Sequence, residues 1–411
     1  MSPSIESSPI QNLEELLTQS LGSNFLIKNL EWKPLTAPGE NFGSIILALN
    51  VTVTRSNDTE TLNLVAKLPP TSEYLLELFD SPVTFQKELE FYGALTQEFE
   101  KLQLENGIDE KDLCIVAPKY FGGRLGLRNP NEFDEQAVII LENLKYNGYD
   151  TADRIHGLDK EHTEFALKAL ARLHALTVAL KLKKPQLFEK IAAIVMEDNP
   201  NDTTLRCLYD MIKKAQDDLH EMEEAKPYLD RVDRTLEYCE QESKNAKKPE
   251  EPWATLVHND FWVNNMMFRH DARGQLLGVK IVDFQLSVYD YGIKDLIFFL
   301  VSSANREVLD HQLDHMIDYY YDSFVKSLKK LKVDTEKFSK KKFDEIVNYC
   351  GPVKLSQCLM MAQVIQAPKE NGPALEDVTK SVFLTRASDN VYKQKMLHIV
   401  QLFEKRGWLL E

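Results

Sequence analysis

Cysteine pairs, positive charge and long apolar runs are all scarce in this chain. Its five cysteines, Cys114, Cys207, Cys239, Cys350 and Cys358, are odd in number and form no C-x-x-C pair. That pattern argues against a disulfide framework or a thiolate zinc site and for reduced, independent thiols. No stretch approaches the ~20 apolar residues that a bilayer-crossing helix requires; the densest, Leu296 to Val301, is short and follows a charged segment. The opening Met1-Ser2-Pro3-Ser4-Ile5-Glu6 has neither a basic nor an apolar leader region. We therefore expect a cytoplasmic protein without membrane insertion, and unmodified sequons at Asn50, Asn57 and Asn201. Lysine and arginine (49) are outnumbered by aspartate and glutamate (64), which leaves a formal charge of −15. Nucleic-acid binding rests on cations that neutralise phosphates, so this balance argues against a nucleic-acid partner. It otherwise reflects ordinary solubility.

What is present is enough apolar material for substantial cores: 43% of 411 residues are hydrophobic. After an opening helix around Asn12 to Leu21, Ser44 to Thr54 and Thr61 to Leu68 are β-rich and flank the polar turn Ser56-Asn57-Asp58, a hairpin pattern. Pro82 to Leu102 carries Phe85, Leu89, Tyr92 and Leu95 at helical spacing. Further β-rich runs follow at Ile115 to Tyr120 and at Ala137 to Leu141, the latter ending in Glu142-Asn143-Leu144. Beyond that point helical patterns dominate: Glu164 to Leu182, Gln216 to Asn245, Leu309 to Leu331, Lys341 to Tyr349 and Ser388 to Lys405. There is no fixed-period repeat. The expectation is an α+β fold of two lobes, a small strand-rich one over residues 1–143 and a larger, mostly helical one over 144–411.

The chemistry concentrates between Leu256 and Leu300, where His258-Asn259-Asp260, Asn265 and Asp283-Phe284-Gln285 stand in one short window. This is the His-x-Asp-x4-Asn pattern of a phosphoryl-transfer loop followed by an Asp-Phe-x turn. Such transfer needs a carboxylate beside the attacking hydroxyl, for which Asp260 is the candidate. It also needs an amide oxygen and a second carboxylate holding magnesium against a triphosphate, for which Asn265 and Asp283 are the candidates. Met266 to Phe268, the turn around His270 to Gly274 and the apolar Leu276 to Val282 form a hairpin pattern that sets Asn265 and Asp283 at its open end. Taken singly, an aspartate is usually a surface charge or a cap and a histidine a hydrogen-bonded structural residue; the joint occurrence carries the reading.

Upstream residues offer an ATP-holding set. Gly39, Asn41 and Gly43 in Pro38-Gly39-Glu40-Asn41-Phe42-Gly43-Ser44 precede a strand, where backbone N–H groups can approach phosphates. The run is not a full Gly-x-Gly-x-x-Gly loop, and glycine in such a turn usually has only a backbone role. Lys67 closes Leu64-Val65-Ala66-Lys67, from which it can reach the phosphates; Glu88 is the favoured ion-pair partner and Glu90 the rival, because the two point to different helix faces. Alone, Lys67 reads as a strand-end charge and Glu88 as a solvated one. Glu142 and Leu144, at the end of the apolar run, mark either a hinge whose main chain can read adenine or the end of an ordinary buried strand. Asp295 either caps the helix that follows Tyr291-Gly292 or accepts bonds from the catalytic loop.

With these pieces in order, the chain resembles the ecdysteroid-kinase-like family, within the wider choline-kinase and aminoglycoside-phosphotransferase group. The resemblance is carried by the window from Val257 to Phe268, Ile281-Val282-Asp283-Phe284-Gln285, Asp295-Leu296, Phe85-x-x-Glu88-x-x-x-Tyr92 and Ala171-Arg172-Leu173-His174-Ala175. It implies a bilobal kinase-like fold, ATP and Mg2+, and phosphorylation of a hydroxyl on a small molecule such as a polyhydroxylated steroid or a xenobiotic alcohol, in hormone inactivation or detoxification. By matched position it gives Asp260 as base or hydroxyl-orienting residue, Asn265 and Asp283 as metal ligands, Lys67 as phosphate contact and Glu88 as its partner. Asn259 stands where many relatives have glycine, and Gln285 replaces the glycine of protein kinases. One alternative is a choline, ethanolamine or aminoglycoside-like kinase with Tyr319, Tyr320, Tyr321 and Trp262 around a cationic acceptor. Another is a non-catalytic pseudokinase that binds a hydrophobic small molecule.

Overall fold

Alternating apolar and polar side chains build the first layer, an antiparallel sheet of β1 (Leu26–Pro34), β2 (Ile45–Arg55), β3 (Asp58–Leu68), β4 (Tyr120–Arg124) and β5 (Val138–Glu142) in the order β1-β2-β3-β5-β4. The computed structural model describes residues 8–35, 43–56, 58–195, 200–245, 247–367 and 390–411. Leu47, Leu49, Val51 and Val53 of β2 point to one face and pack with Leu30, Leu64, Val138 and Ile140. Helix α1 (Leu13–Leu21) closes that face with Leu13, Leu16 and Leu17. Its approach to β4 is close: a Cβ at Gly122 would lie 2.1 Å from the Leu16 carbonyl oxygen, and the residue's φ is +156°. Only glycine fits there. Val138 and Ile140 face this cluster, whereas Ile139 and Leu141 face the larger core, which is why β5 reads as an unbroken apolar run.

After β3 comes α2 (Glu73–Leu78), and then, on the second face, a long helical stretch made of α3 (Ser81–Glu90), a π turn at Phe91–Leu95 and α4 (Thr96–Glu105). Past β5 and the short β6 (Tyr149–Asp150), α5 (Lys160–Lys183) is buried along almost its whole length and N-capped by Asp159, whose carboxylate accepts from the His162 N–H. Two small sheets carry the chemical window: β7 (Ala254–Val257) pairs with β10 (Val288–Tyr291), and β8 (Met266–His270) lies between β6 and β9 (Leu276–Ile281). Among the described residues the remaining helices are α6 (Pro185–Val195), α7 (Asp202–His220), α8 (Leu229–Lys244), α9 (Gly292–Ser303), α10 (Arg306–His311), α11 (Leu313–Lys330), α12 (Lys340–Val353), α13 (Leu355–Ile365) and α14 (Asn390–Lys405). Among the described residues no helix is long and apolar enough to cross a membrane.

The α+β class matches the expectation, with local corrections. Residues 113–119 are not a strand; β4 starts at Tyr120, after Pro118. The preceding segment instead receives the Ile281 N–H on the Val116 carbonyl at 2.7 Å and the Lys280 ammonium on the Ile115 and Ala117 carbonyls. The charged helical pattern over Gln216 to Asn245 is two helices, separated by a 3-10 turn at Glu223–Tyr228 that contains Pro227, which has no N–H to continue the ladder. Strand β1, helices α2, α6 and α13 and most of α7 go beyond what the sequence pattern predicts. Of the turn Ser56-Asn57-Asp58, Asn57 lies outside the described residues.

Candidate active site

The β8–β9 hairpin pairs Met266 with Ile281, and just beyond it the Val282 N–H donates to the Asn265 carbonyl at 3.0 Å. Asn265 and Asp283 thereby flank one open end. The Asn265 amide Nδ2 donates to both the carbonyl oxygen and the Oδ2 of Asp260, each at 2.8 Å. Two residues of the window are left-handed, Asn259 (φ 64°) and Asp283 (φ 69°). Asparagine and aspartate are the non-glycine types that tolerate this region best, so Asn259 keeps the turn that glycine would make. The Asp283 N–H donates to the Tyr92 hydroxyl at 3.2 Å, and the next ring, Phe284, stacks on Phe91 at 3.5 Å between centroids. Tyr92 and Phe91 sit in the π turn, a device that often re-aims side chains at functional sites.

Asp295, in the first turn of α9 and only 1% exposed, holds the catalytic loop from behind. Its carboxylate accepts the N–H groups of His258 at 2.6 Å and Asn259 at 2.8 Å, and His174 Nε2 lies 3.2 Å away. With the carboxylate ionised, Nε2–H donates and His174 Nδ1 accepts from the Tyr320 hydroxyl at 2.7 Å. Burial alone would raise the Asp295 pKa; the hydrogen bonds from His174 and from the loop N–H outweigh it and leave it lowered. The loop-acceptor alternative for Asp295 is therefore the one observed. His258 Nε2 meets the Val282 carbonyl at 3.0 Å, and burial pushes the ring's pKa down, which favours the neutral form.

Lys67 stands at the centre of the site. Its Nζ donates to Glu88 Oε2 at 2.5 Å, Asp283 Oδ1 at 2.7 Å and Gln285 Oε1 at 3.2 Å, with the lysine 5% and the glutamate 1% exposed. Burial would lower the ammonium's pKa, but the charges of Asp283 and Glu88 reverse the balance and raise it, so Lys67 stays cationic. Glu88 is pushed up to about 7 by burial, against the opposing pull of Lys67. Glu90 is half-buried on another face, near Lys190, and is not the partner of Lys67. Burial, with the Asp283 carboxylate adding to it, pushes half-buried Asp260 up to about 8.

Gly43 lies beside this cluster: a Cβ there would meet Phe79 Cδ1 at 3.3 Å and Gln285 Nε2 at 3.5 Å. Gly39 and Asn41 lie outside the described residues. At the end of β5, the Glu142 N–H donates to the Lys119 carbonyl, and its side chain accepts from the Lys119 N–H and the Asn147 amide. The Leu144 carbonyl accepts from Asn147 and Tyr149, and its N–H makes no hydrogen bond among the described residues. Tyr92 and Gln285 were quoted in the sequence motifs without a site role; the structure places both on the Lys67–Asp283 pair.

The donor set fits a magnesium ion. Asn265 spends its Nδ2 on Asp260, which leaves the amide oxygen without a hydrogen bond among the described residues. The Asp283 side chain is 27% exposed. Among the described residues no three His, Cys, Asp or Glu side chains gather into a closed cage. One or two oxygen ligands completed by phosphates and water is the usual arrangement for magnesium.

Similar solved structures include an ethanolamine kinase of Plasmodium vivax (11% identity, 93% of this chain and 85% of that chain, TM-score 0.44) and a choline kinase of Cryptosporidium parvum (11%, 92% and 91%, 0.46). A microcompartment-associated aminopropanol kinase is similar at 10% identity over 97% of this chain and 98% of that one, with a TM-score of 0.46. No curated protein matches the chain. The model of the ecdysteroid kinase-like family matches residues 38–333, well over half of the sequence, and the chain belongs to the ecdysteroid kinase-like family.

Proposed function

We propose that this protein is an ATP- and magnesium-dependent O-kinase that phosphorylates a hydroxyl of a polyhydroxylated apolar alcohol, an ecdysteroid or a comparable xenobiotic. Residues 1–143 form its ATP-binding lobe, and residues 144–411 carry the catalytic loop and the acceptor pocket. One observation carries the reading. Lys67 is held between Glu88 and Asp283, which come from distant parts of the chain, and Asp283 sits at the open end of the same hairpin that holds Asn265 against Asp260.

In this reading Lys67 binds the α- and β-phosphates of ATP while Glu88 fixes the position of the ammonium. Gly39, Asn41 and Gly43 bring main-chain N–H groups toward the phosphates, and the main chain of Glu142 and Leu144 reads adenine. Asn265 through its amide oxygen and Asp283 through its carboxylate would hold magnesium, which supplies positive charge against the phosphates when bound. Asp260 orients the acceptor hydroxyl and takes its proton on a carboxylate oxygen. Catalysis is positioning plus electrostatics, and no phospho-enzyme forms.

The aromatic positions weigh against an open cage for a cationic acceptor: Tyr320 is 2% exposed and bonded to His174, Trp262 is 8% exposed, and half-buried Tyr319 and Tyr321 pack against the core. Nucleotide binding tests the reading. Titration of ATP should show tight binding only with magnesium, lost on chelation and in Asp283→Ala, and weakened in Lys67→Met. Equal ATP affinity with and without magnesium would overturn it.

A further inference from the structure

We propose that Gln357, on α13, is a positioning residue for the catalytic loop, and that the buried Lys354 sets the direction of its amide. This rests on the role proposed for Asp260. Gln357 lies beyond residues 38–333, the part of the chain that the family model matches.

The geometry is a two-sided clamp on one residue. Asn259, left-handed and immediately before Asp260, has its N–H held by Asp295 Oδ1 at 2.8 Å and its carbonyl held by Gln357 Nε2 at 2.8 Å. The residue before Asp260 is therefore fixed from both ends, its N-terminal peptide from α9 and the peptide that leads into Asp260 from α13. Asn265 then fixes the far side, taking the Asp260 carbonyl and carboxylate. With Gln357 removed, the Asn259–Asp260 peptide loses its only hydrogen bond from α13 among the described residues, and the Asp260 side chain can swing with it.

Amide direction is decided by chemistry. Lys354, 7% exposed, donates from Nζ to Gln357 Oε1 at 2.6 Å. An ammonium has only donors and a carbonyl only acceptors, so a group that joins the two must accept at one end and donate at the other. A primary amide of this reach does both. A carboxylate at the same place would keep the Lys354 partner, as an ion pair, and turn an acceptor toward the Asn259 carbonyl. Gln357→Glu therefore separates the clamp from the packing: it retains the buried lysine's partner and removes only the bond to the loop. Gln357→Leu removes both.

The experiment compares the parent with Gln357→Glu, Gln357→Leu and Asp260→Asn. Hydrogen exchange followed by mass spectrometry is read on the peptide spanning residues 256–265. Turnover of Mg-ATP is read with water as acceptor and with any ecdysteroid or plant alcohol the parent phosphorylates. In both Gln357 variants the loop amides of His258 and Asn259 should exchange faster. The kcat should fall roughly ten- to a hundred-fold, the size expected of a misplaced reacting group, while the KM for ATP stays within about two-fold. The unfolding midpoint of Gln357→Glu should stay near the parent's. A parental kcat in Gln357→Glu, or unchanged loop exchange in both variants, would overturn the inference. So would a joint fall of kcat, ATP affinity and stability in Gln357→Glu, which marks a packing defect. If Asp260→Asn keeps the parental turnover, the reading of Asp260 fails and the inference falls with it; if Asp260→Asn is inactive while Gln357→Glu is unimpaired, the inference alone fails.

Discussion

Replacing Asp295 tests how the catalytic loop is held. The carboxylate is 1% exposed and takes the His258 N–H, the Asn259 N–H and the His174 Nε2–H. Alanine leaves three buried donors without partners, each costing about 1–3 kcal/mol of desolvation. The costs are not additive, because water enters the space the side chain leaves, so we expect a total of roughly 3–5 kcal/mol from the three lost bonds. Asparagine keeps the shape and one acceptor but turns an N–H against a donor, so we expect about 2 kcal/mol from one lost bond and one unsatisfied group. Denaturant unfolding followed by tryptophan fluorescence reads both values. The pH dependence has a definite sign. The folded-state pKa of Asp295 is lowered, so its contribution is fully present above the unfolded carboxylate value of about 4 and is lost as pH falls through the lower folded value. The gap between parent and Asp295→Ala should be flat from neutrality to about pH 5 and narrow in stronger acid. A cost under about 1 kcal/mol for alanine, or a gap that widens in acid, would refute the assignment of Asp295 as the loop's buried ionised anchor.

Other substitutions separate neighbours that look alike in the sequence. Glu88→Gln should lose ATP turnover and destabilise by roughly 1–3 kcal/mol, since Lys67 loses a buried anion. Glu90→Gln, on a half-buried face away from Lys67, should change stability by no more than about 0.5 kcal/mol, and equal effects of the two would contradict the pairing. Gly351→Ala should destabilise by about 1–3 kcal/mol or more, because its Cβ would fall 2.5 Å from the Trp408 ring; a shifted emission spectrum of the folded protein would report the displaced indole.

The parts of the site legible in the sequence are those set by local pattern. Asp260, Asn265 and Asp283 stand around one hairpin, so strand alternation and a turn were enough to bring them together. Lys67 and Glu88 were legible by order, but the choice against Glu90 needed the helix phase and its packing on β3, which spacing alone does not give. Strand β1 was missed because it is an edge strand with Leu30 as its single buried residue, and Leu26 is 59% exposed, so no alternation shows. The misplaced strand at Ile115 to Tyr120 is β-rich in composition, yet the Val116 carbonyl accepts the Ile281 N–H and β4 begins only at Tyr120. Asp295 was seen with two roles open, and only the fold brings it under Asn259. Gln357 had no signal at all: it reaches Asn259 across 98 residues from a helix the sequence reading did not find.

In the proposed reaction Asp260, held by Asn265, delivers an acceptor hydroxyl to ATP. The most direct test is mass spectrometry of phosphoryl transfer from Mg-ATP to a panel of ecdysteroids, plant alcohols, choline, ethanolamine and aminoglycosides, with the parent, Asp260→Asn and Asp283→Ala side by side. An apolar polyol should gain one phosphoryl group with the parent only, while Asp260→Asn still binds Mg-ATP. Undiminished product from Asp260→Asn would contradict it.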